Sequence, residues 1–157
     1  MTRHEVGVIS DTHGLLRPEA VAALRGVERI LHAGDVGAPE VLRALAELAP
    51  VTAVRGNNDR GPWAGRLQLT ATVVVGGVKL YVLHDLKSLA VDPRAAGIAA
   101  VIAGHSHQPR QEARDGILYF NPGSAGPRRF RLPVSVGRLV ISGARITGRL
   151  VGLRIAA

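Results

Sequence analysis

Five clusters of carboxylate, imidazole and carboxamide side chains recur along the chain, each directly after a short apolar run. Ser10-Asp11-Thr12-His13 follows Val6–Ile9, and His32-Ala33-Gly34-Asp35 follows Ile30-Leu31. Arg55-Gly56-Asn57-Asn58-Asp59 follows Val51–Val54, His84-Asp85 follows Leu80–Leu83, and Gly104-His105-Ser106-His107 follows Val101–Ala103. Asp, His and Asn offer oxygen and nitrogen donors, and the chain has no Cys to add sulfur. Such a set suits Mn²⁺, Fe²⁺, Zn²⁺ or Co²⁺ and is too nitrogen-rich for Ca²⁺ or Mg²⁺ alone. There are more donors than one ion needs, and two ions sharing a carboxylate would use them all. Two ions about 3.5–4 Å apart generate a bridging hydroxide and clamp a phosphoryl group.

Taken singly, most of the clusters have ordinary explanations. Asp11 and His13 alone could be a strand-end cap and a surface histidine, and Asp35 could cap the helix that follows it. Gly56-Asn57-Asn58-Asp59 is composed of residues that favour turns anyway. Gly104-His105-Ser106-His107 is harder to dismiss, because two histidines two residues apart at a strand end present ring nitrogens to one side. It is the series of five, in order, that makes coincidence a poor account.

The elements that must carry these clusters follow from periodicity. Strands are expected at 6–9, 29–31, 51–54 and 98–103, with helices at 18–25 and 38–48. In the second helix Val41, Leu42, Leu45 and Leu48 share one face. A hairpin is expected over 67–75 and 79–83 around Gly76-Gly77, then a weaker helix over 88–96. The remainder reads as strands at 111–113, 117–120, 134–141 and 144–150, with tight turns at Asp115-Gly116 and Ser142-Gly143. The opening βαβαβ pattern implies parallel strands, and the closing part reads as antiparallel. One domain over 1–157, with two packed sheets and helices outside, is the simplest architecture. In such sheets ligands collect at the carboxyl ends of the strands, where all five clusters would converge.

Composition narrows the function classes. The absence of Cys excludes disulfides, thiolate metal sites and a cysteine nucleophile. Aromatics are 3%, too few for a protein that works by stacking many bases. The net charge of +8 is uneven: residues 1–109 carry 11 basic and 10 acidic side chains, whereas 110–157 carry 9 Arg and 2 acids. Those arginines are scattered, which favours solvated strand faces over a nucleic-acid surface. No apolar run approaches the ~20 residues of a spanning helix, and Thr2–Ile9 is too short and polar for a signal sequence. A cytoplasmic location without membrane attachment is expected.

With these residues in view, the sequence resembles the calcineurin-like metallophosphoesterase family. It is most similar to the small single-domain bacterial and archaeal phosphodiesterase branch, which is related to the retromer subunit. The family's D-x-H, G-D, G-N-x-D, H and G-H-x-H blocks correspond to Asp11-Thr12-His13, Gly34-Asp35, Gly56-Asn57-Asn58-Asp59, His84 and Gly104-His105-Ser106-His107. Asn121-Pro122-Gly123-Ser124, followed by Pro127-Arg128, also matches this branch. The resemblance implies an α/β fold of two packed mixed β-sheets flanked by helices, a four-layer αββα metallophosphoesterase sandwich. It implies Asp11, His13 and His107 on one divalent ion, Asn57, His84 and His105 on a second, and Asp35 bridging both. Manganese is the expected ion, with iron, zinc, cobalt and nickel as alternatives. The implied reaction is in-line attack on phosphorus by a metal-bridging hydroxide, with Asn58 and His105 as the catalytic candidates.

The chain departs from the family pattern in two places. Many larger relatives have a histidine after the metal-binding Asn, where this chain has Asn58. An amide donates to a phosphoryl oxygen but delivers no proton at neutral pH, so Asn58 is expected to contact phosphate. Asp85 stands where a small residue is usual; it either orients a neighbouring imidazole or caps the helix expected from Ser88, and the cap is favoured. His32 is expected in a supporting or core role, Arg55 and Arg128 as phosphate contacts, and Trp63 over the core or an oligomer interface. A small phosphoester is the expected partner, with self-association an open alternative and nucleic acid not favoured. The alternative function is a catalytically weak, protein-binding scaffold of the retromer-subunit type. Such relatives carry substitutions in the ligand set, and this chain carries none.

Overall fold

The computed structural model describes residues 2–129 and 131–155. Strand β1 (Arg3–Ile9) leads through helix α1 (Pro18–Ala23) to β2 (Arg29–His32), and through helix α2 (Pro39–Ala46) to β3 (Val51–Ala53). These three strands are parallel. They form three strands of a five-stranded sheet ordered β10-β9-β1-β2-β3, completed by the hairpin β9 (Ser135–Ser142) and β10 (Arg145–Gly152). The second sheet has the order β4-β5-β6-β8-β7, from β4 (Thr70–Val75), β5 (Val78–Leu83), β6 (Ile98–Ile102), β7 (Arg110–Arg114) and β8 (Ile117–Asn121).

Both helices open with Pro at the first turn, where the missing N–H is not needed. In α2 the four-residue spacing turns Val41 and Leu45 fully inward, with Leu42 and Leu48 at the edge of the same contact. They seal the outer face of the first sheet against Ile9, Ile30 and Val36. The facing sides of the two sheets form the main core, with Val6, Val8, Leu31, Leu139 and Ile141 from one sheet meeting Leu80, Val82, Ala100, Ile102 and Phe120 from the other. A strand such as β1, buried on both faces, reads as a continuous apolar run rather than an alternating one. That explains why Val6–Ile9 was legible as a strand and its more polar start, Arg3–Glu5, was not.

Two expectations need correction. No α-helix forms over 88–96; a single 3₁₀ turn, Leu86–Ser88, is followed by an irregular segment and a turn closing on Gly97. Pro93 lacks an N–H and disfavours helix at Asp92, whose carboxylate accepts from the Arg94 N–H at 3.1 Å. The outer face of the second sheet therefore carries Leu89 and loop, not a helix, over Tyr81, Leu83 and Val101. The closing part is also not wholly antiparallel, because β8 runs parallel to β6. The β7–β8 hairpin turns at Asp115-Gly116, both left-handed with φ of 51° and 77°. No helix among the described residues is long and apolar enough to cross a membrane.

Candidate metal centre

The carboxyl ends of β1, β2, β3, β5, β6 and β8 lie along one edge where the two sheets meet. Backbone hydrogen bonds lace the loops that leave them. The N–H groups of Asp11 and His13 donate to the carbonyls of Gly34 (3.0 Å) and Asp35 (2.9 Å), and that of Gly104 donates to His84 (2.9 Å). Five ligand candidates, Asp11, His13, Asp35, His105 and His107, adopt left-handed backbone with φ between 47° and 70°. Each such residue costs roughly 1–2 kcal/mol over an ordinary conformation and persists only where its surroundings over-determine it. The strain turns these side chains inward instead of letting the strand direction carry them away.

The seven residues named from sequence come together as two adjoining groups. Asp11, His13 and His107 have donor atoms within 4.8 Å of one another, and so do Asp35, His84 and His105. Asp35 stands between the groups, with its Oδ2 at 3.7 Å from His13 Nε2 and 3.3 Å from His84 Nε2. Asp11 Oδ1 lies 3.3 Å from His107 Nε2 and 3.9 Å from His84 Nε2. The Asn57 carboxamide oxygen is 3.2 Å from His105 Nδ1, which also lies 3.3 Å from His84 Nε2.

Hydrogen bonds to surrounding groups fix which atom of each side chain is left to bind. Asp11 Oδ2 accepts from Ser10 Oγ (2.8 Å) and from the His105 N–H (3.0 Å), so Oδ1 faces the imidazoles. His84 Nδ1 donates to the Ala33 carbonyl at 2.7 Å, which turns Nε2 toward Asp35 Oδ2. Asp11 Oδ1, His13 Nε2 and His107 Nδ1 are buried with no hydrogen-bond partner. A buried polar atom without a partner costs about 1–3 kcal/mol, and Asp11 Oδ1 and His13 Nε2, facing each other at 3.8 Å, fit a bound cation. Burial would raise the Asp35 pKa, but hydrogen bonds from His84 and Asn58 outweigh it and hold the carboxyl well below the usual range. Burial likewise opposes ionisation of Asp11 and is outweighed by His107, His84 and Ser10. Both carboxylates are thus charged at neutral pH, as cation binding requires. Burial pushes the His13 pKa down, keeping that imidazole neutral.

The other named residues are placed less uniformly. Asn58 gives its backbone N–H to Asp35 Oδ1 (2.8 Å) and its side-chain amide to Asp35 Oδ2 (3.0 Å). Arg55 donates from Nε to the Asp59 carbonyl (3.1 Å) and lines a groove of about 540 Å³ beside Asn57, His84 and His105. Arg128 is exposed in the loop after Pro127, while the charge of its neighbour Arg129 acts on His13. Asp85 caps the 3₁₀ turn, its Oδ1 accepting from the Lys87 N–H at 3.0 Å, while Oδ2 lies 3.8 Å from His105 Nε2, beyond hydrogen-bond reach. Trp63 packs against the cluster beneath the helices.

Sequence reasoning missed the residues that brace the centre. The buried Asp59 carboxylate accepts from the N–H groups of Val36 (3.2 Å), Gly37 (2.9 Å) and Gly56 (2.9 Å), joining the loops that carry Asp35 and Asn57. Its place at the end of the Gly56–Asp59 cluster was the available signal. Asn121 donates to the Gly104 carbonyl and Ser106 Oγ, both at 3.0 Å, and Ser124 Oγ donates to the Asp11 carbonyl at 3.1 Å. A side chain at Gly56 would collide with Asp35, so the close approach of these two loops requires glycine there.

A family model described as a calcineurin-like phosphoesterase superfamily domain matches residues 5–143. The chain belongs to the calcineurin-like phosphoesterase superfamily. A probable metallophosphoesterase of Methanothermobacter thermautotrophicus is 38% identical over 93% of this chain and 91% of its own length. Vacuolar protein sorting 29 of Cryptosporidium parvum superposes with a TM-score of 0.83 at 21% identity, covering 98% of this chain and 93% of its own. An archaeal phosphodiesterase superposes with a TM-score of 0.78 at 23% identity, covering 94% and 99%. The two mixed five-stranded sheets are those of the metallophosphoesterase sandwich. This family is metal-dependent, and the chain has two groups of candidate metal ligands.

His32 supports the centre without joining it. Its Nδ1 accepts from the Gly34 N–H (3.1 Å), so Nε2 carries the hydrogen and donates to Thr12 Oγ1 (3.0 Å). Burial lowers its pKa from 6.5 to about 4. Between those values the unfolded chain binds a proton that the folded chain does not, so stability falls as pH drops through that window. Urea unfolding is expected to show a loss approaching about 3 kcal/mol from this residue by pH 4. His32→Asn is expected to flatten the pH dependence between 6.5 and 4, and an unchanged slope would contradict the assignment.

Proposed function

We propose that the phosphoesterase is a divalent-metal-dependent phosphodiesterase with a dinuclear centre. The observation that carries the reading is the pair of adjoining donor groups with Asp35 between them and the buried Asp11 Oδ1 and His13 Nε2 left unpartnered. Asp11, His13 and His107 would hold one ion and Asn57, His84 and His105 the other, with Asp35 within reach of both groups. Two ions bound there supply an acidified water and the positive charge that phosphoester hydrolysis needs, with manganese the proposed metal.

The chain's own groups do the rest. Asn58 keeps Asp35 oriented through one amide hydrogen, and its second is free for a phosphoryl oxygen. Arg55 and Arg128 are the proposed cationic contacts to phosphate. His105 is the most exposed of the histidines at the centre and stands at the mouth. Water adds to phosphorus in line with the departing alkoxide, giving one alcohol and one phosphomonoester. Asn58 delivers no proton, so the departing oxygen takes its proton from solvent and esters with good leaving groups react fastest. Purified protein loaded with Mn²⁺ is expected to hydrolyse bis(p-nitrophenyl) phosphate faster than p-nitrophenyl phosphate and to lose activity with chelator. Failure on every aryl diester would overturn the reading in favour of a scaffold like the sorting proteins that share the fold.

A further inference from the structure

A groove of about 560 Å³ lies on the outer face of the second sheet, over β6, β7 and β8. Its inner end is Asp85, His105 and Ser106, the wall of the metal centre itself. A cleft of this size is far larger than one phosphate requires and lies within the range of small-molecule sites. Val101 and Ala103 form an apolar floor, flanked by Leu86 and Tyr119.

The rim comes from β7. Alternation along that strand sends Arg110, Glu112 and Arg114 to the groove, while Gln111 points the other way and donates to the Gly148 carbonyl at 3.1 Å. Arg110 pairs in register with Asn121, which is bonded to the loop that carries His105, so it lies next to the centre. Arg114 follows about 13 Å farther along, at roughly 3.4 Å per residue, and its guanidinium stacks 4.2 Å above the Tyr119 ring. Glu112 is shared between the two arginines, so one carboxylate faces two guanidiniums, and Lys87 adds a third cation.

We propose that this groove binds one ester arm of the substrate, an arm with a flat apolar body and a second anionic group. A phosphorylated nucleoside has that chemistry. The inference rests on the phosphodiesterase reading and assigns the substrate class that the bare metal centre leaves open. The apolar floor takes the flat body, and Arg110 and Arg114 take the second anion through charge-assisted hydrogen bonds.

Calorimetry of the Mn²⁺-loaded chain tests it with two probes, thymidine 3′,5′-bisphosphate and thymidine 5′-monophosphate. The bisphosphate is expected to bind about tenfold tighter, and the difference to vanish in Arg110→Gln/Arg114→Gln. Equal binding of the two probes by the wild-type chain, or a difference that survives in the double variant, overturns the subsite. A parallel titration with inorganic phosphate separates this from the metal-centre reading. Phosphate binding that is lost in Asp35→Ala, alongside equal nucleotide binding, removes the groove and keeps the centre. If phosphate binds wild type and Asp35→Ala alike, the centre fails, and the comparison between the two nucleotides still decides the groove.

Discussion

Asp35→Ala is expected to lower diester hydrolysis by about a thousandfold or more and to reduce the bound metal from two ions per chain to one or none. Asp35 is the carboxylate within reach of both donor groups, at 3.7 Å from His13 Nε2 and 3.3 Å from His84 Nε2. Both of its oxygens are held in place by Asn58, so it is oriented before any ion arrives. Removing it takes one negative charge from each ion's surroundings while leaving four imidazoles facing each other. Metal content measured by elemental analysis, beside activity on an aryl diester, checks the outcome. Full activity in this variant would show that the site has been assigned to the wrong residues.

Asp59→Ala is expected to destabilise the folded chain by about 3–5 kcal/mol, because three backbone N–H groups lose their acceptor and each such group costs about 1–3 kcal/mol when left unsatisfied. Its carboxylate, 1% exposed, accepts three backbone N–H groups, and alanine would strand all three. For a chain of this size that corresponds to a fall of roughly 6–20 °C in melting temperature. Metal affinity should fall with it, because Asp59 is what ties the Asp35 loop to the Asn57 loop. The same variant with a normal melting temperature would remove Asp59 from the framework. Thermal unfolding of the metal-free chain reads the structural part alone.

The two effects divide the Gly56–Asp59 cluster in a way composition could not. From sequence it read as a turn or as a ligand-bearing segment, and in the structure it is a turn whose side chains reach the loops around it. Asn57 reaches His105, Asn58 holds Asp35, and Asp59 closes the loop on its neighbour. Asp85 caps a turn with one oxygen, and the other stays beyond hydrogen-bond reach of His105. Short polar side chains at strand ends serve local and long-range partners together, and only coordinates show which partners are within reach.

The arginine-rich final third resolves into several unrelated uses. Arg138 pairs with Glu5 at 2.7 Å and accepts no ligand role, since it also donates to the carbonyls of Ala23 and Arg25 after α1. Arg145 and Arg149 lie on the edge strand β10. Arg110 and Arg114 border the groove that opens from the metal centre, and the charge of Arg129 acts on His13. Net charge counts these side chains equally, whereas a substrate meets only those that share its side of the sheet.

The sequence by itself determined the strand order along the chain, the two α-helices, the hairpins and the seven donor candidates. Those features depend on local periodicity and on residue types that sit next to each other, which is information a linear string contains. Tertiary structure decided that β8 lies parallel to β6, which brings Asn121 and Ser124 to the loops they brace. It also decided that β6, β7 and β8 assemble side by side, which forms the groove beside His105. Both depend on contacts between residues far apart in the chain. Their energies arise from packing and hydrogen bonds formed only once the two sheets have closed on each other.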